Sequence, residues 1–240
     1  MIHIFTVCTG PNYFPWHVER LYNQIKEHTT FDFKLYVYTP YSKEEFGDHI
    51  TVIPIMNDRG VRQWYKLDLF WLAPKNQICF ISDLDWTFYG DVTDILNQPV
   101  EKNELIAPYR WWTEGRYGYD INGGLYKFIG GDHTHVADTF YKMPEYYMQK
   151  YIDLGYAKPP VNGEQNFVED CLKENNSIIK YFEPKSAIGR YKHHNGALRG
   201  YSKLYLKEFK KDFYAAKSII CSDVRMLQAD PLDVDQLSRI

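Results

Sequence analysis

The sequence predicts an α/β fold, with one Rossmann-like, mixed and mainly parallel sheet flanked by helices. Two short β-branched runs, IHIFTVCT (2–9) and FKLYVYT (33–39), enclose a segment with helical spacing at 15–28. A strand, a helix and a strand in this order typically form a parallel unit. A third run, QICFIS (77–82), contains an unbroken apolar stretch, as expected of a central strand covered on both faces.

The elements before residue 90 each have a local signal. Pro15 stands in the first turn of the helix predicted at 15–28, and Val18, Leu21 and Ile25 fall on one of its faces. The other elements predicted in this half are strands at 33–39, 49–55 and 77–82 and a helix at 61–73 that Pro74 ends.

After residue 90, helical and strand patterns alternate with no internal repeat and no low-complexity linker. We therefore expect one domain over 1–240, with halves at 1–90 and 91–200 and a C-terminal helix and tail at 201–240. The aromatic segment 110–119 suits either a flap over a ligand or a loop that packs its rings into the core. The predicted elements are helices at 91–97, 133–143, 163–174 and 203–217 and strands at 104–109, 120–129 and 178–183.

Composition and charge exclude several classes of protein. The 240 residues have a formal net charge of −3 and no run of five like charges, so general nucleic-acid binding is not expected. The apolar runs are too short to cross a bilayer, and the first residues lack a basic leader region, which predicts a cytoplasmic protein. Aromatic residues make up 17% of the chain, which agrees with either a large aromatic core or a sugar-binding cleft.

The cysteines indicate a reduced protein without a zinc site. They lie far apart, and none forms a C-x-x-C pair. Such a pattern is typical of packed thiols in a reducing compartment. The four positions are Cys8, Cys79, Cys171 and Cys221.

The segment FISDLDW (80–86) places two acids beyond the end of the predicted central strand. Ligands of open α/β sheets bind outside the carboxyl ends of the strands. Asp83 and Asp85 are two residues apart, so we expect their side chains on one side of the chain. Two unpaired carboxylates would repel each other, and Mg²⁺ held by them and by substrate phosphate oxygens removes that repulsion. The alternative is a pair of loop acids that caps a helix or pairs with lysine.

Two chemistries use such a pair of acids. In one, the acids hold Mn²⁺ or Mg²⁺ on a nucleotide sugar. In the other, D-x-D-x-T begins a haloacid-dehalogenase-type phosphatase with Asp83 as nucleophile, and Asp132 and Asp138 suggest its second acidic motif. That motif normally follows the first strand, whereas about two β-α units precede it here, so the first chemistry is favoured.

A second constellation lies in HHNGALRGY (193–201). A neutral imidazole at His193 suits Mn²⁺ as a third protein ligand. Gly196 lets the backbone approach a phosphate, and Arg199 can bind two phosphate oxygens. The alternative is a solvated turn, and only the combination with the paired acids favours a clamp for a metal ion and a diphosphate.

With these motifs, the chain resembles the retaining glycosyltransferases of family 8, which include glycogenin and bacterial lipopolysaccharide galactosyltransferases. The resemblance extends over nearly the whole chain as short motifs in the family's order, and it implies the A-type glycosyltransferase fold. The motifs are IFTVCTG, WYKLDLF, the paired acids, INGGLYKF, GEQN and HHNGALRGY.

The resemblance also implies roles for individual residues. A strand lined by Thr6, Cys8 and Gly10 would bind the base, and Lys66 would lie against the nucleotide sugar. Donor contacts are implied for Leu84, Asn122, Gly123 and Gly124, and Glu164 and Gln165 are placed near the reacting sugar. Asp83, Asp85 and His193 would hold the metal, with Gly196 and Arg199 on the diphosphate.

The sequence departs from the family pattern at several positions. Glu164 and Asn166 replace two aspartates, and the segment beginning at Arg199 reads R-G-Y where the family has K-P-W. Arg110 stands where the family has an acid that helps to select the donor sugar. The choice between glucose and galactose therefore stays open.

The resulting hypothesis is transfer of a hexose from UDP-glucose or UDP-galactose to the hydroxyl of a saccharide or another acceptor, with retention. Mn²⁺ or Mg²⁺ would be the cofactor, and Lys66 and Arg199 would add positive charge where the diphosphate leaves. An aspartyl phosphatase and an inactive nucleotide-sugar-binding module remain alternatives. The lysines of 203–217 fit either a core-packed helix or a weak membrane-surface contact. The oligomeric state is not specified.

Overall fold

The opening segments fold as the β-branched and helical patterns predict. Pro15 occupies the first turn of the first helix, whose buried face includes Val18, Leu21 and Ile25. The computed structural model describes residues 1–10, 13–56, 62–110, 119–155, 163–192, 197–199 and 225–228. The first elements are β1 (Ile2–Val7), α1 (Pro15–His28), β2 (Phe33–Thr39), β3 (Ile50–Pro54), α2 (Asp68–Leu72) and β4 (Ile78–Ser82).

Shorter elements follow in the second half of the chain. They are β5 (Trp86–Phe88), α3 (Thr93–Leu96), β6 (Glu104–Ala107), β7 (Leu125–Ile129), α4 (Thr134–Phe140), α5 (Pro144–Asp153) and α6 (Glu164–Glu174). The last described strands are β8 (Ile178–Tyr181), β9 (Ile188–Lys192), β10 (Ala197–Arg199) and β11 (Met226–Gln228).

Seven of these strands form the main sheet, in the order β3-β2-β1-β4-β7-β6-β8. β7 pairs antiparallel with both β4 and β6, and the other pairings are parallel. The predicted mixed, mainly parallel sheet is thus confirmed. A smaller sheet has the order β10-β9-β11-β5, and the sequence patterns did not predict it because its strands are short and pair across long distances in the chain.

Two apolar clusters cover the faces of the main sheet. One packs α1 and the segment around β5 against the sheet, with Leu21, Phe80 and Trp86 among its members. The other packs α2, α4 and α6 against the opposite face, with Trp64, Phe128 and Phe167. Since β4 contributes Phe80 to the first cluster and Ile81 to the second, it is the doubly covered central strand that its apolar run predicts.

Three predicted elements differ from the structure. The helix predicted at 61–73 begins as a 3-10 helix (Arg62–Leu67) and becomes α-helical only in α2. The strand predicted at 120–129 begins only at Leu125, because the two glycines before it lie in a turn. Pro144 does not only end a helix, since it also occupies the first turn of α5, where its fixed φ is favourable.

Other predictions concern the C-terminal region and membranes. The helix predicted at 203–217 lies outside the described residues, so its proposed membrane-surface contact stays a prediction. In the described part of the chain, no helix has both the length and the apolar character needed to span a bilayer. Cys8, Cys79 and Cys171 are free and buried, as expected, and Cys221 lies outside the described residues.

Candidate active site

The two acids of FISDLDW lie at the carboxyl edge of the main sheet. Asp83 follows the last residue of β4, and the acids occupy the connection between β4 and β5. The strand alternation from which we expected both side chains on one side of the chain therefore does not continue through them. Because β7 runs antiparallel to β4, Leu125 pairs with Ser82, and the glycines that precede β7 reach the same edge. The N–H of Asp83 donates to the carbonyl of Gly124 over 2.8 Å.

One amide nitrogen brings the two acids together. Nε2 of Gln228, at the end of β11, lies 3.1 Å from Oδ1 of Asp85 and 3.4 Å from Oδ2 of Asp83. The side chain of Asp83 is 27% exposed, so it remains open to a ligand. The prediction that both carboxylates point to one place is therefore confirmed, although Gln228 was not among the expected residues.

Lys66 connects three segments at this edge. Its Nζ lies 2.9 Å from Oδ1 of Asp83 and 3.2 Å from Oε2 of Glu164, and it donates to the carbonyl of Gly123 over 2.8 Å. An ammonium group has three N–H donors, so these partners use its full capacity. Lys66 thus lies beside the acids, as expected, and in this structure it ties Asp83, Glu164 and Gly123 together. Its proposed contact with the nucleotide sugar stays a prediction.

The charges of this cluster influence one another. Burial alone would lower the pKa of Lys66, but the carboxylates of Asp83 and Glu164 raise it above its ordinary value. Burial raises the pKa of Glu164 to about 7, and the positive charge of Lys66 opposes that shift. Since one ammonium faces two carboxylates, Lys66 stays charged, and the more deeply buried Glu164 takes up a proton more readily than an ordinary glutamate.

Helix α6 brings two further predicted residues to the edge. Gly163 precedes the helix with φ of 115°, a left-handed conformation that favours glycine. In the first turn, Oε1 of Gln165 accepts a hydrogen bond from the N–H of Gly123 over 3.1 Å. Glu164 is buried and also accepts from the hydroxyl of Tyr126. Gln165 therefore lies nearer to the open edge than Glu164 does.

The turn of the paired acids is held from two sides. Arg20, on α1, donates to the carbonyl of Leu84 and lies 3.4 Å from the hydroxyl oxygen of Thr87. The indole N–H of Trp86 donates to the carbonyl of Gly124 over 2.7 Å. The side chain of Leu84, between the two acids, is buried in the core. A donor contact through the Leu84 side chain is therefore not available, and a contact through its backbone stays a prediction.

The residues expected to bind the base do not form an open surface together. Thr6 and Cys8 are completely buried, since β1 lies between β2 and β4 and both of its faces are covered. Burial raises the pKa of the Cys8 thiol to about 12, which makes it unreactive. Gly10 is exposed beyond the carboxyl end of β1, and it is the member of this group that lies in reach of a ligand.

The second constellation falls largely outside the described residues. His193 and Gly196 lie there, and Arg199 ends β10 with a side chain that is not described. The strand before His193, β9, pairs in parallel with β11, with Arg190 opposite Gln228. The proposed ligand His193 and the phosphate contacts therefore stay predictions. The aromatic segment 111–118 also lies outside the described part.

Arg110 is buried close to the N-G-G turn. Its N–H donates to the carbonyl of Asp120 over 2.6 Å, and the N–H of Asn122 donates to the carbonyl of Pro108. Arg110 thus supports this turn through its backbone. Its proposed effect on the choice of donor sugar is not tested by this placement.

The acidic motif that a phosphatase would need is not at this edge. Asp132 follows the end of β7, whose last residue pairs with Ile78 at the start of β4. Because Asp83 follows the other end of β4, Asp132 lies at the opposite edge of the sheet. Asp138 accepts from the indole of Trp71 at the protein surface. The structure therefore does not support the phosphatase alternative.

The residues at the carboxyl edge fit a hard divalent cation. Asp83 and Glu164 both contact the ammonium of Lys66, and Asp85 lies beside Asp83 on the amide of Gln228, so carboxylates outnumber ammonium groups in this cluster. Within the described ranges, no group of three or more His, Cys, Asp or Glu side chains that could hold a metal is found. A site of two carboxylates completed by phosphate oxygens and water is the usual arrangement for Mg²⁺.

Solved structures share the fold of this chain. The galactosyltransferase LgtC, in complex with donor and acceptor sugar analogues, matches 99% of this chain and 95% of its own with a TM-score of 0.60 and 12% identity. An active-site mutant of LgtC matches 95% of this chain and 86% of its own with a TM-score of 0.53 and 13% identity. No protein-family model and no curated protein sequence matches the chain. The predicted A-type glycosyltransferase fold is therefore confirmed.

Proposed function

We propose that this protein is a metal-dependent glycosyltransferase that moves a hexose from a nucleoside diphosphate sugar to an acceptor hydroxyl, with retention. The observation that carries the proposal is the cluster of Asp83, Asp85, Lys66 and Glu164 at the carboxyl edge of the sheet. Ligands of open α/β sheets bind at this edge. The structure of LgtC with donor and acceptor sugar analogues supports a sugar donor and a sugar acceptor for this fold.

Asp83 and Asp85 are the residues that would hold Mn²⁺ or Mg²⁺. When bound, the cation supplies Lewis-acid stabilisation of the negative charge on the departing diphosphate. Lys66 fixes Asp83 against Gly123 and partly offsets the charge of the acids. This preorganised positive charge favours a developing anion at the same edge.

In this proposal, the donor sugar lies near the first turn of α6. There Gln165 is fixed by the N–H of Gly123 and remains partly exposed, so it is the preferred candidate for a group that touches the sugar. Glu164, buried against Lys66 and Tyr126, acts through Lys66. Neither residue is assigned as a covalent nucleophile.

A thermal-shift screen of nucleotide sugars, with and without Mn²⁺, tests the proposal. A ligand that binds only the folded protein raises its melting temperature by mass action. We expect UDP-glucose or UDP-galactose to raise the melting temperature in the presence of Mn²⁺ and not in EDTA. A set of nucleotide sugars that all leave the melting temperature unchanged would contradict the proposed donor class.

Release of free UDP then distinguishes turnover from binding alone. With a panel of saccharide acceptors, an active transferase releases UDP in proportion to the glycosylated product. Mn²⁺-dependent binding without release over hours would instead identify an inactive nucleotide-sugar-binding module. Hydrolysis of p-nitrophenyl phosphate with Mg²⁺ and without any nucleotide would favour a phosphatase.

A further inference from the structure

Gln228 contacts both acids of the proposed cation site from a distant part of the chain. It ends β11, where it pairs with Trp86 of β5, and its side chain is buried. Its Nε2 lies 3.1 Å from Asp85 and 3.4 Å from Asp83. The carboxamide therefore lies against the paired acids, at the corner where the cation is expected.

The orientation of this carboxamide is determined by its neighbours. The N–H of Gly124 donates to Oδ1 of Asn122 over 2.6 Å, which directs Nδ2 of Asn122 toward Oε1 of Gln228 at 2.8 Å. Rotating the Gln228 amide by half a turn would place two N–H₂ groups against each other. The chain of hydrogen bonds thus requires Gln228 to present its N–H donors, and not its oxygen, to the acids.

The position of Gln228 is supported by packing and by charge. A Cβ at Gly124 would lie 2.4 Å from Nε2 of Gln228, so the glycine makes room for the amide. At the other end of the strand, Arg225 binds both oxygens of Asp94, at 2.7 and 2.9 Å. Because the Gln228 side chain is already fixed, it loses little further conformational entropy when it orients Asp83 and Asp85.

We propose that Gln228 is a positioning residue of the cation site, whose carboxamide aligns Asp83 and Asp85 and so determines how tightly they hold a divalent cation. This inference rests on the proposed function, because it takes the paired acids as the cation ligands. A neutral donor stabilises the two carboxylates before the cation arrives without adding a third negative charge. Residues that orient metal ligands in this way typically change metal affinity about 10- to 100-fold when they are replaced.

The test measures Mn²⁺ binding by the full chain from the electron paramagnetic resonance signal of free Mn²⁺, with and without UDP. Gln228→Ala should weaken Mn²⁺ binding by about 10- to 100-fold. Gln228→Glu keeps the shape but adds a third carboxylate, so it should lower the melting temperature without Mn²⁺ and bind Mn²⁺ more tightly than the wild type.

A matched control is Gln149→Glu. Gln149 also donates to an aspartate, Asp153, over 2.6 Å, but both residues are exposed on α5. This variant should bind Mn²⁺ like the wild type. If Gln228 only fills space, both of its variants lower the melting temperature while Mn²⁺ affinity stays at the wild-type value, and that result would overturn the inference.

The wild type separates the two proposals. If it binds Mn²⁺ but UDP does not change the affinity, the proposed function fails, while the comparison of the Gln228 variants still decides the positioning role. If it binds no Mn²⁺ with or without UDP, both proposals are overturned. If Gln228→Ala does not fold, the Mn²⁺ affinity of the isosteric Gln228→Glu decides the question, and an affinity equal to that of the wild type would overturn the inference.

Discussion

Lys66 and Glu164 form an ion pair in which each side chain is only 4% exposed and Nζ lies 3.2 Å from Oε2. The same ammonium lies 2.9 Å from Asp83. A buried charge requires partners, since its transfer from water costs several kcal/mol. Lys66 therefore affects two properties at once: the stability of the fold, through its pair with Glu164, and the position of Asp83 in the proposed cation site.

We expect Lys66→Met to destabilise the protein by about 3–5 kcal/mol, because it leaves the buried Glu164 without its cation. Urea unfolding followed by circular dichroism measures this change. Adding Glu164→Gln removes the unpaired charge and should recover part of the loss in a double-mutant cycle. If the double variant loses as much stability as the two single variants together, the two side chains are not coupled.

The second prediction concerns the paired acids. Asp83→Asn should remove the Mn²⁺-dependent part of the UDP-induced thermal shift, because an amide holds a divalent cation less well than a carboxylate does. Calorimetric titration of UDP in the presence of Mn²⁺ measures the loss directly. Asp132→Asn is the matched control, since Asp132 lies at the opposite edge of the sheet. Unchanged UDP affinity in Asp83→Asn would count against the cation site.

Much of this edge is predictable because each of its parts follows a local signal. Asp83 comes directly after an apolar strand, and the glycines at 123 and 124 mark a turn before another strand. Lys66 and Glu164 lie within the helical patterns at 61–73 and 163–174. The short distances between them arise only when the sheet brings separate strand ends together, which the β-α-β order predicts in outline.

Other features of the site leave no local signal. Gln228 lies in a strand of three residues, too short for an alternating pattern, and its contact with Asp85 spans 143 residues. Arg20 is a polar residue on a helix, and nothing in the sequence indicates that it holds the carbonyl of Leu84. The complete burial of Thr6 was also unpredictable, since the short β-branched run of β1 does not show that both faces of this strand are covered.

The third prediction tests the space beside Gln228. Gly124→Ala would bring a methyl group to 2.4 Å from Nε2 of Gln228 and 2.8 Å from Oδ1 of Asn122. Overpacking of this kind costs about 1–3 kcal/mol, and the displaced amide should weaken Mn²⁺ binding as well. At Gly90 the nearest atom to such a methyl group is 3.9 Å away, so Gly90→Ala should remain within about 0.5 kcal/mol of the wild type. Chemical denaturation compares the two, and equal stabilities would contradict the proposed packing.

The last prediction concerns Lys127, a buried lysine of β7. Its Nζ donates to the carbonyls of Leu96 and Gln98 and lies 5.3 Å from the ring centre of Phe80. Burial lowers its pKa from 10.5 to about 8, because the neutral amine is favoured away from water.

Stability should therefore depend on pH in a defined window. Between pH 8 and pH 10.5, the unfolded chain keeps a proton on Lys127 that the folded protein has released. The unfolded state then binds more protons, so the contribution of Lys127 to the free energy of unfolding rises with pH, by at most about 1.4 kcal/mol per pH unit. Below pH 8 both states are protonated and the contribution is constant at its lowest value. Urea unfolding of the wild type and Lys127→Met at pH 7, 8, 9 and 10 measures the difference, which should move in favour of the wild type as the pH increases. If the free energies of unfolding of the two proteins change with pH in parallel across this range, Lys127 has the same pKa in the folded and the unfolded state.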